Sequence, residues 1–121
     1  MATPNLVSVT SVTPFTIAGA VTNSATDVID VSADKVRKIN SIIIANVDGS
    51  SSADITVEIS VDNGSSYFKI ASTVAVPADA TLVVIDKNSQ IYLDETDLLR
   101  LTASANGDLH YVISGEELDD A

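Results

Sequence analysis

Between residues 55 and 61 the chain alternates without a miss: Ile55-Thr56-Val57-Glu58-Ile59-Ser60-Val61. That period of two predicts a strand with one dry face. Just upstream, Ile42-Ile43-Ile44-Ala45 is apolar at consecutive positions and mostly β-branched. Such a run predicts an inner strand covered on both faces. Val47-Asp48-Gly49-Ser50-Ser51-Ser52 lies between them and lets the chain reverse. Residues 39–61 therefore read as the centre of a β-sheet domain. Further strands are expected at residues 26–31, 67–70, 72–76 and 91–93, with a turn at Asp62-Asn63-Gly64-Ser65-Ser66. Pro77 ends one of them, because it cannot donate to an inner ladder. Thr81-Leu82-Val83-Val84-Ile85 is again continuously apolar and reads as a buried strand, and Asp94-Glu95-Thr96-Asp97 as an acidic corner.

The segment around Asn106-Gly107 predicts a hairpin. Leu99, Leu101 and Ala103 alternate with polar residues before it, and Leu109, Tyr111 and Ile113 do so after it. A two-residue turn on Asn106-Gly107 would pair Leu101 with Val112 and put the two apolar rows on opposite faces. A three-residue loop, Ala105-Asn106-Gly107, pairs Ala103 with Leu109 and Leu101 with Tyr111, so the rows share one face. The second register is expected, with Gly107 at positive φ in a bulge.

The two ends differ in charge. Residues 1–26 carry none, and Pro4 and Pro14 break them. Leu6, Val7 and Val9, then Phe15 and Ile17, read as short edge strands closing the sheet, or as an extended arm across another subunit. Low charge argues against simple disorder. If they form an arm, removing residues 1–24 leaves the sandwich folded. Residues 1–25 are thus read as arm or edge strands, 26–115 as the sandwich, and 116–121 as an acidic, solvated tail. Lys35, Arg37 and Lys38 form the one basic cluster, with three of the six cations. It reads as a solvated strand end or as a contact for an acidic partner. Leu6, Val7, Val9, Phe15, Ile17, Lys35, Arg37 and Lys38 are the candidate partner-binding residues.

Composition removes several classes of function. Six basic against 17 acidic residues give a net charge of −11, which repels phosphate backbones and anionic lipid. Neither nucleic acid nor a membrane surface is therefore an expected partner. No run reaches the ~18 apolar residues of a membrane helix. The first residues lack the basic start of a secretory signal, so synthesis in the cytoplasm is expected. Cysteine is absent and His110 is the single histidine. Zinc is thereby effectively excluded, and His110 reads as a surface residue of a strand. The Asp48, Asp62 and Asp94 turns could offer oxygen ligands to calcium, but none has EF-hand spacing. Asp and Asn also serve turns through local hydrogen bonds. No cofactor, metal site or catalytic group is assigned, and no enzyme is expected.

Three segments resemble small virion proteins of tailed bacteriophages: residues 38–49 (Lys38-Ile39-Asn40-Ser41-Ile42-Ile43-Ile44-Ala45-Asn46-Val47-Asp48-Gly49), 75–88 and 91–104. The resemblance spans roughly residues 36–115. It implies an all-β antiparallel sandwich or jelly-roll-like single domain of about eight strands with an extended N-terminal arm. It further implies a structural virion protein, first a capsid decoration (cement) protein on the outside of the head. A neck or tail component is the second reading. A carbohydrate- or calcium-dependent binding module of an adhesin is the alternative from another class. The implied partners are the major capsid protein or another virion protein, and further copies of the chain. A homotrimer is favoured by lattice symmetry.

Overall fold

In a computed structural model, which describes residues 9–119, the chain is all-β and forms a sandwich. Among the described residues nine strands are seen: β1 Ser11–Val21, β2 Thr26–Asp30, β3 Lys35–Asn46, β4 Ala53–Ser60, β5 Phe68–Val76, β6 Thr81–Ile85, β7 Ile91–Leu93, β8 Leu98–Ala103 and β9 Leu109–Asp119. One sheet, sheet A, has the order β1-β9-β3-β6, with β7 also paired to β3. The other, sheet B, has the order β2-β8-β4-β5. Every pairing is antiparallel. Consecutive strands change sheet except at β4–β5, a hairpin, and at β6–β7, which both lie along β3.

Alternation builds the core. From sheet A come Val21, Ile39, Ile42, Ile44, Leu109 and Ile113, and from sheet B Ile29, Ile55, Val57, Leu99 and Leu101, all buried. Burying each large aliphatic side chain contributes about 1.5–3 kcal/mol.

The connection at residues 104–108 departs from the expected hairpin. Gly107 does have a positive φ of 87°, but β8 and β9 lie in different sheets. Leu101 pairs with Val57 and Thr26, and Tyr111 with Ile44 and Gly19. The connection is an arch over the end of the sandwich, tied down by Gly107 N–H donating to Val21 O (3.1 Å) and Val47 N–H to Asp108 O (2.9 Å). The reversal at residues 47–52 is likewise an arch between sheets. Asn46 holds it from within, its Nδ2 donating to Ser51 O (3.0 Å) and Val76 O (2.9 Å).

Two further expectations change. Residues 116–119 are no solvated tail: they complete β9, between β1 and β3. The uncharged N-terminal stretch is an edge strand from residue 11 onward, in register with β9 along its whole length. Val21 is buried, and Phe15 and Ile17 pack on the core. Removing residues 1–24 would therefore strip an edge strand, with the core residue Val21, from the sheet, so an intact sandwich is no longer expected after that truncation. Residues 67–70 and 72–76 merge into the single edge strand β5. Across from Thr56, Ser72 and Thr73 form a bulge: Thr73 has φ 46° and donates its N–H to Thr56 Oγ1 (3.1 Å). Such breaks discourage an exposed edge from pairing with another chain.

Candidate interaction surfaces

Inward rows of sheet A run past the end of the core, and the basic cluster lies there. Arg37 is in register with Glu117, and Lys35 with Asp119. Arg37 Nε is 3.0 Å from Glu117, and Lys35 Nζ is 3.2 Å from Asp119 and 3.7 Å from Glu117. The Arg37 guanidinium also caps the ring of Phe15, 4.5 Å from its centroid. A hydrogen bond to Asp119 holds the Lys35 ammonium above its ordinary pKa. From the sequence the cluster reads as a solvated strand end or a contact for an acidic partner, and residues 116–121 as a solvated tail. Here they meet each other. Lys38 faces the opposite way, in register with Glu116 and Tyr92. Phe15 and Ile17 are half-buried on the inward face, and Val9 precedes β1. Leu6 and Val7 lie outside the described residues.

On the outer face of sheet B, charge alternates across all four strands. Asp27, Arg100, Glu58 and Lys69 stand side by side in register on β2, β8, β4 and β5. Glu58, nearly buried, receives Arg100 Nε and Lys69 Nζ, each at 3.2 Å. Burial works to raise its carboxyl, but the bonds from Arg100 and Lys69 outweigh it and hold the pKa below the ordinary value. The Arg100 guanidinium stacks on Tyr67 (3.5 Å to the ring centroid), whose hydroxyl donates to Asp27 (3.0 Å). This face is internally satisfied.

The acidic corner is occupied with loop closure. Glu95 accepts the Asp34 N–H (2.8 Å), Asp97 accepts the Asp94 N–H (2.9 Å), and both carboxylates are largely buried. Burial raises the Asp97 pKa. His110 is exposed on β9, as expected. Among the described residues no three His, Cys, Asp or Glu side chains come together at metal-binding range, and no pocket opens.

Acid sensitivity has an identifiable source in the β4–β5 turn. Hydrogen bonds from the Ser66 hydroxyl and N–H, and from Ser60, lower Asp62 from 3.8 to about 2. A carboxyl depressed on folding stabilises fully above its unfolded pKa and loses that contribution as pH falls through the folded one. Asp62 therefore acts between about pH 4 and pH 2, the same direction as Asp48 and Glu58 and opposite to Asp97. The urea midpoint should fall across that window, and Asp62→Asn should flatten the fall. An equally steep fall in the variant would show that other carboxyls set it.

The outer face of sheet A is different in kind. Beyond the rows Val12–Leu118–Val36 and Pro14–Glu116–Lys38–Tyr92 at one end of it, three rows follow: Thr16–Ser114–Ser41, Ala18–Val112–Ile43–Val83 and Ala20–His110–Ala45–Thr81. No residue of these three rows is acidic or basic apart from His110. Val112 is 41% exposed and Val83 54%, while their neighbours Ile42, Ile44 and Ile113 are fully buried. No residue of these three rows was among the candidates drawn from the sequence; Lys38 lies on the same face, beyond them. The available signal was the consecutive apolar run on β3 and β6, which predicted cover on both faces. In the single chain only one face is covered.

The molecule is thus a two-sheet antiparallel β-sandwich, with a charge network on the outer face of sheet B and, on the outer face of sheet A, three rows without acidic groups beside Lys38 and Glu116. No protein-family model matches the chain, and no curated protein matches it. Among solved structures, the Drosophila NLP core is similar at a TM-score of 0.48 and 10% identity, over 85% of this chain and 96% of that one. A pentameric capsid protein isolated from metagenomic phage sequences is similar at 0.36 and 14%, over 95% and 62%. The VP2 subviral particle of infectious bursal disease virus is similar at 0.44 and 13%, over 91% and 33%. The chain spans less than two thirds of the length of these last two. At such scores the likenesses say nothing about what this chain binds.

Proposed function

We propose that this chain is a structural, non-catalytic virion protein of a tailed bacteriophage, a capsid decoration protein bound to the outside of the head. The observation that carries the reading is the strand order. If β6 and β7 count as one interrupted strand along β3, eight strands remain. Their facing orders, β1-β9-β3-β6/β7 and β2-β8-β4-β5, are those of a jelly roll. That is the architecture implied by the resemblance of residues 38–49, 75–88 and 91–104 to small phage virion proteins. Fold alone does not choose among the functions a jelly roll serves; the resemblance supplies the choice. A neck or tail position is the second reading, and a glycan- or calcium-dependent adhesin module the third.

Attachment is assigned to the uncharged residues before β1, including Leu6 and Val7, because Lys35 and Arg37 of the basic cluster are taken up by Glu117 and Asp119. The test is cosedimentation of the purified chain with phage heads and, separately, with tails, together with a chain lacking residues 1–8. Saturable binding to heads, lost in the truncated chain while its melting temperature is unchanged, is expected. Binding to tails alone would move the protein to the second reading. Binding to neither, with affinity for glycans or calcium, would replace the virion reading by the third.

A further inference from the structure

We propose that the outer face of sheet A is covered by the same face of a second copy of this chain, in a two-fold sheet-on-sheet dimer. The inference stands on the surface itself and does not depend on the virion reading.

The first argument is pattern. An antiparallel strand with one wet face alternates apolar and polar residues, as β4 does. β3 does not: Ile42 and Ile44 enter the core, and Ile43 between them points outward. On β9 Val112 stands outward beside the core residue Ile113, and on β6 Val83 is outward. Ile43, Val112 and Val83 are in register with one another and with Ala18, so they form one ridge across the sheet.

Charge identifies the occupant. A cationic partner would be drawn to the acids of this −11 chain, not to three rows that lack them. Two copies of so acidic a protein repel each other wherever their carboxylates meet. The three rows on sheet A offer a contact in which they do not. Sheet B cannot serve in this way, because covering it would desolvate Asp27, Arg100, Glu58 and Lys69. The small Ala, Ser and Thr residues beside the ridge let two sheets approach to the usual ~10 Å.

Size sets the strength. Four strands at ~4.8 Å and about seven residues at ~3.4 Å give a footprint of roughly 450 Å². A stable interface takes about 800 Å² per partner, so the dimer is weak and concentration-dependent. A face that pairs with itself closes as a two-fold. This two-fold contact is a different assembly from the trimer expected from lattice symmetry.

The chain has no cysteine, which gives a clean test. Val112→Cys should form an intermolecular disulfide in air at least ten times faster than Ala75→Cys, an exposed residue on the outer side of sheet B. Sedimentation equilibrium of the unmodified chain up to about 1 mM should show monomer and dimer, and Val112→Lys should be monomeric throughout. Lys lowers the net negative charge, so its effect could not come from greater overall repulsion. Because Val112 is on the surface, the variant should melt with the unmodified chain; Val83→Lys is the second probe if it does not. Equal disulfide rates, a monomer at every concentration, or an oligomer indifferent to both lysines would overturn the proposal.

Discussion

Replacing Gly115 by alanine should abolish the fold, or cost more than about 4 kcal/mol, in a range reached only by severe core defects. Gly115 lies inside β9, opposite Ile39 and next to the irregularity at Asn40 where β3 carries one residue more than its partner. The bulge turns the Lys38 carbonyl toward Gly115. A β-carbon built there would overlap the carbonyl oxygen, with the Ile39 α-carbon 3.2 Å away. Both obstacles are backbone of β3, the central strand beside β9 in sheet A, so neither can swing aside as a side chain could. Glycine is required here by close approach, a recognised use of glycine in strands. At Gly107, by contrast, φ is +87° and open space surrounds the missing side chain. Alanine there should cost only the backbone strain, about 1 kcal/mol. Gly49→Ala is the matched control, since its β-carbon would meet only Asp79 at ordinary contact distance. Urea denaturation followed by circular dichroism ranks the three. A Gly115→Ala chain as stable as Gly49→Ala would mean that the bulge is not formed.

Asn46→Ala should be the most damaging polar substitution, on the order of 3 kcal/mol. The side chain is buried at the end of β3 and makes three bonds: two from Nδ2, to Ser51 and Val76 carbonyls, and one at Oδ1 from the Asp48 N–H (2.8 Å). Alanine leaves those groups unpaired around a small void, at about 1–3 kcal/mol for each group that water cannot reach. Asn46→Asp keeps the acceptor but sets a carboxylate against two carbonyl oxygens. It should destabilise more at neutral pH, and recover partly as acid protonates it. The change in urea midpoint at pH 7 measures both variants, and a shift worth less than about 1 kcal/mol for Asn46→Ala would show that water replaces the lost bonds.

Neither residue announces itself in the sequence. Gly115 stands at the start of Gly115-Glu116-Glu117-Leu118-Asp119, which by composition reads as the onset of a solvated tail. Asn46 precedes a Gly/Ser/Asp stretch and reads as one more turn residue. Each matters because of a partner far along the chain: the Lys38 carbonyl for Gly115, the Val76 carbonyl for Asn46. Long-range partners leave no local period. The charged groups behave alike. Lys35–Lys38 and the acids after residue 115 look like two independent surfaces until β3 and β9 are placed side by side.

What the sequence determined by itself is where strands lie and which side of most of them is dry. The alternation of residues 55–61, the apolar runs at 42–45 and 81–85, and the turn residues between them all carry over into strands and connections. Side-chain period is a local property of extended backbone, so it survives without knowledge of neighbours. Only the tertiary structure decided which sheet each strand joins. Around Asn106-Gly107 a hairpin puts Leu101 and Tyr111 side by side on one sheet, while an arch sets them facing each other across the core. Both bury the same residues, so periodicity cannot separate them; the arch follows from pairing β8 with β4 and β9 with β3. The same holds for Ile43, whose pattern called for cover on two faces. The fold supplies cover on one, and leaves the other as the surface where a second chain is expected.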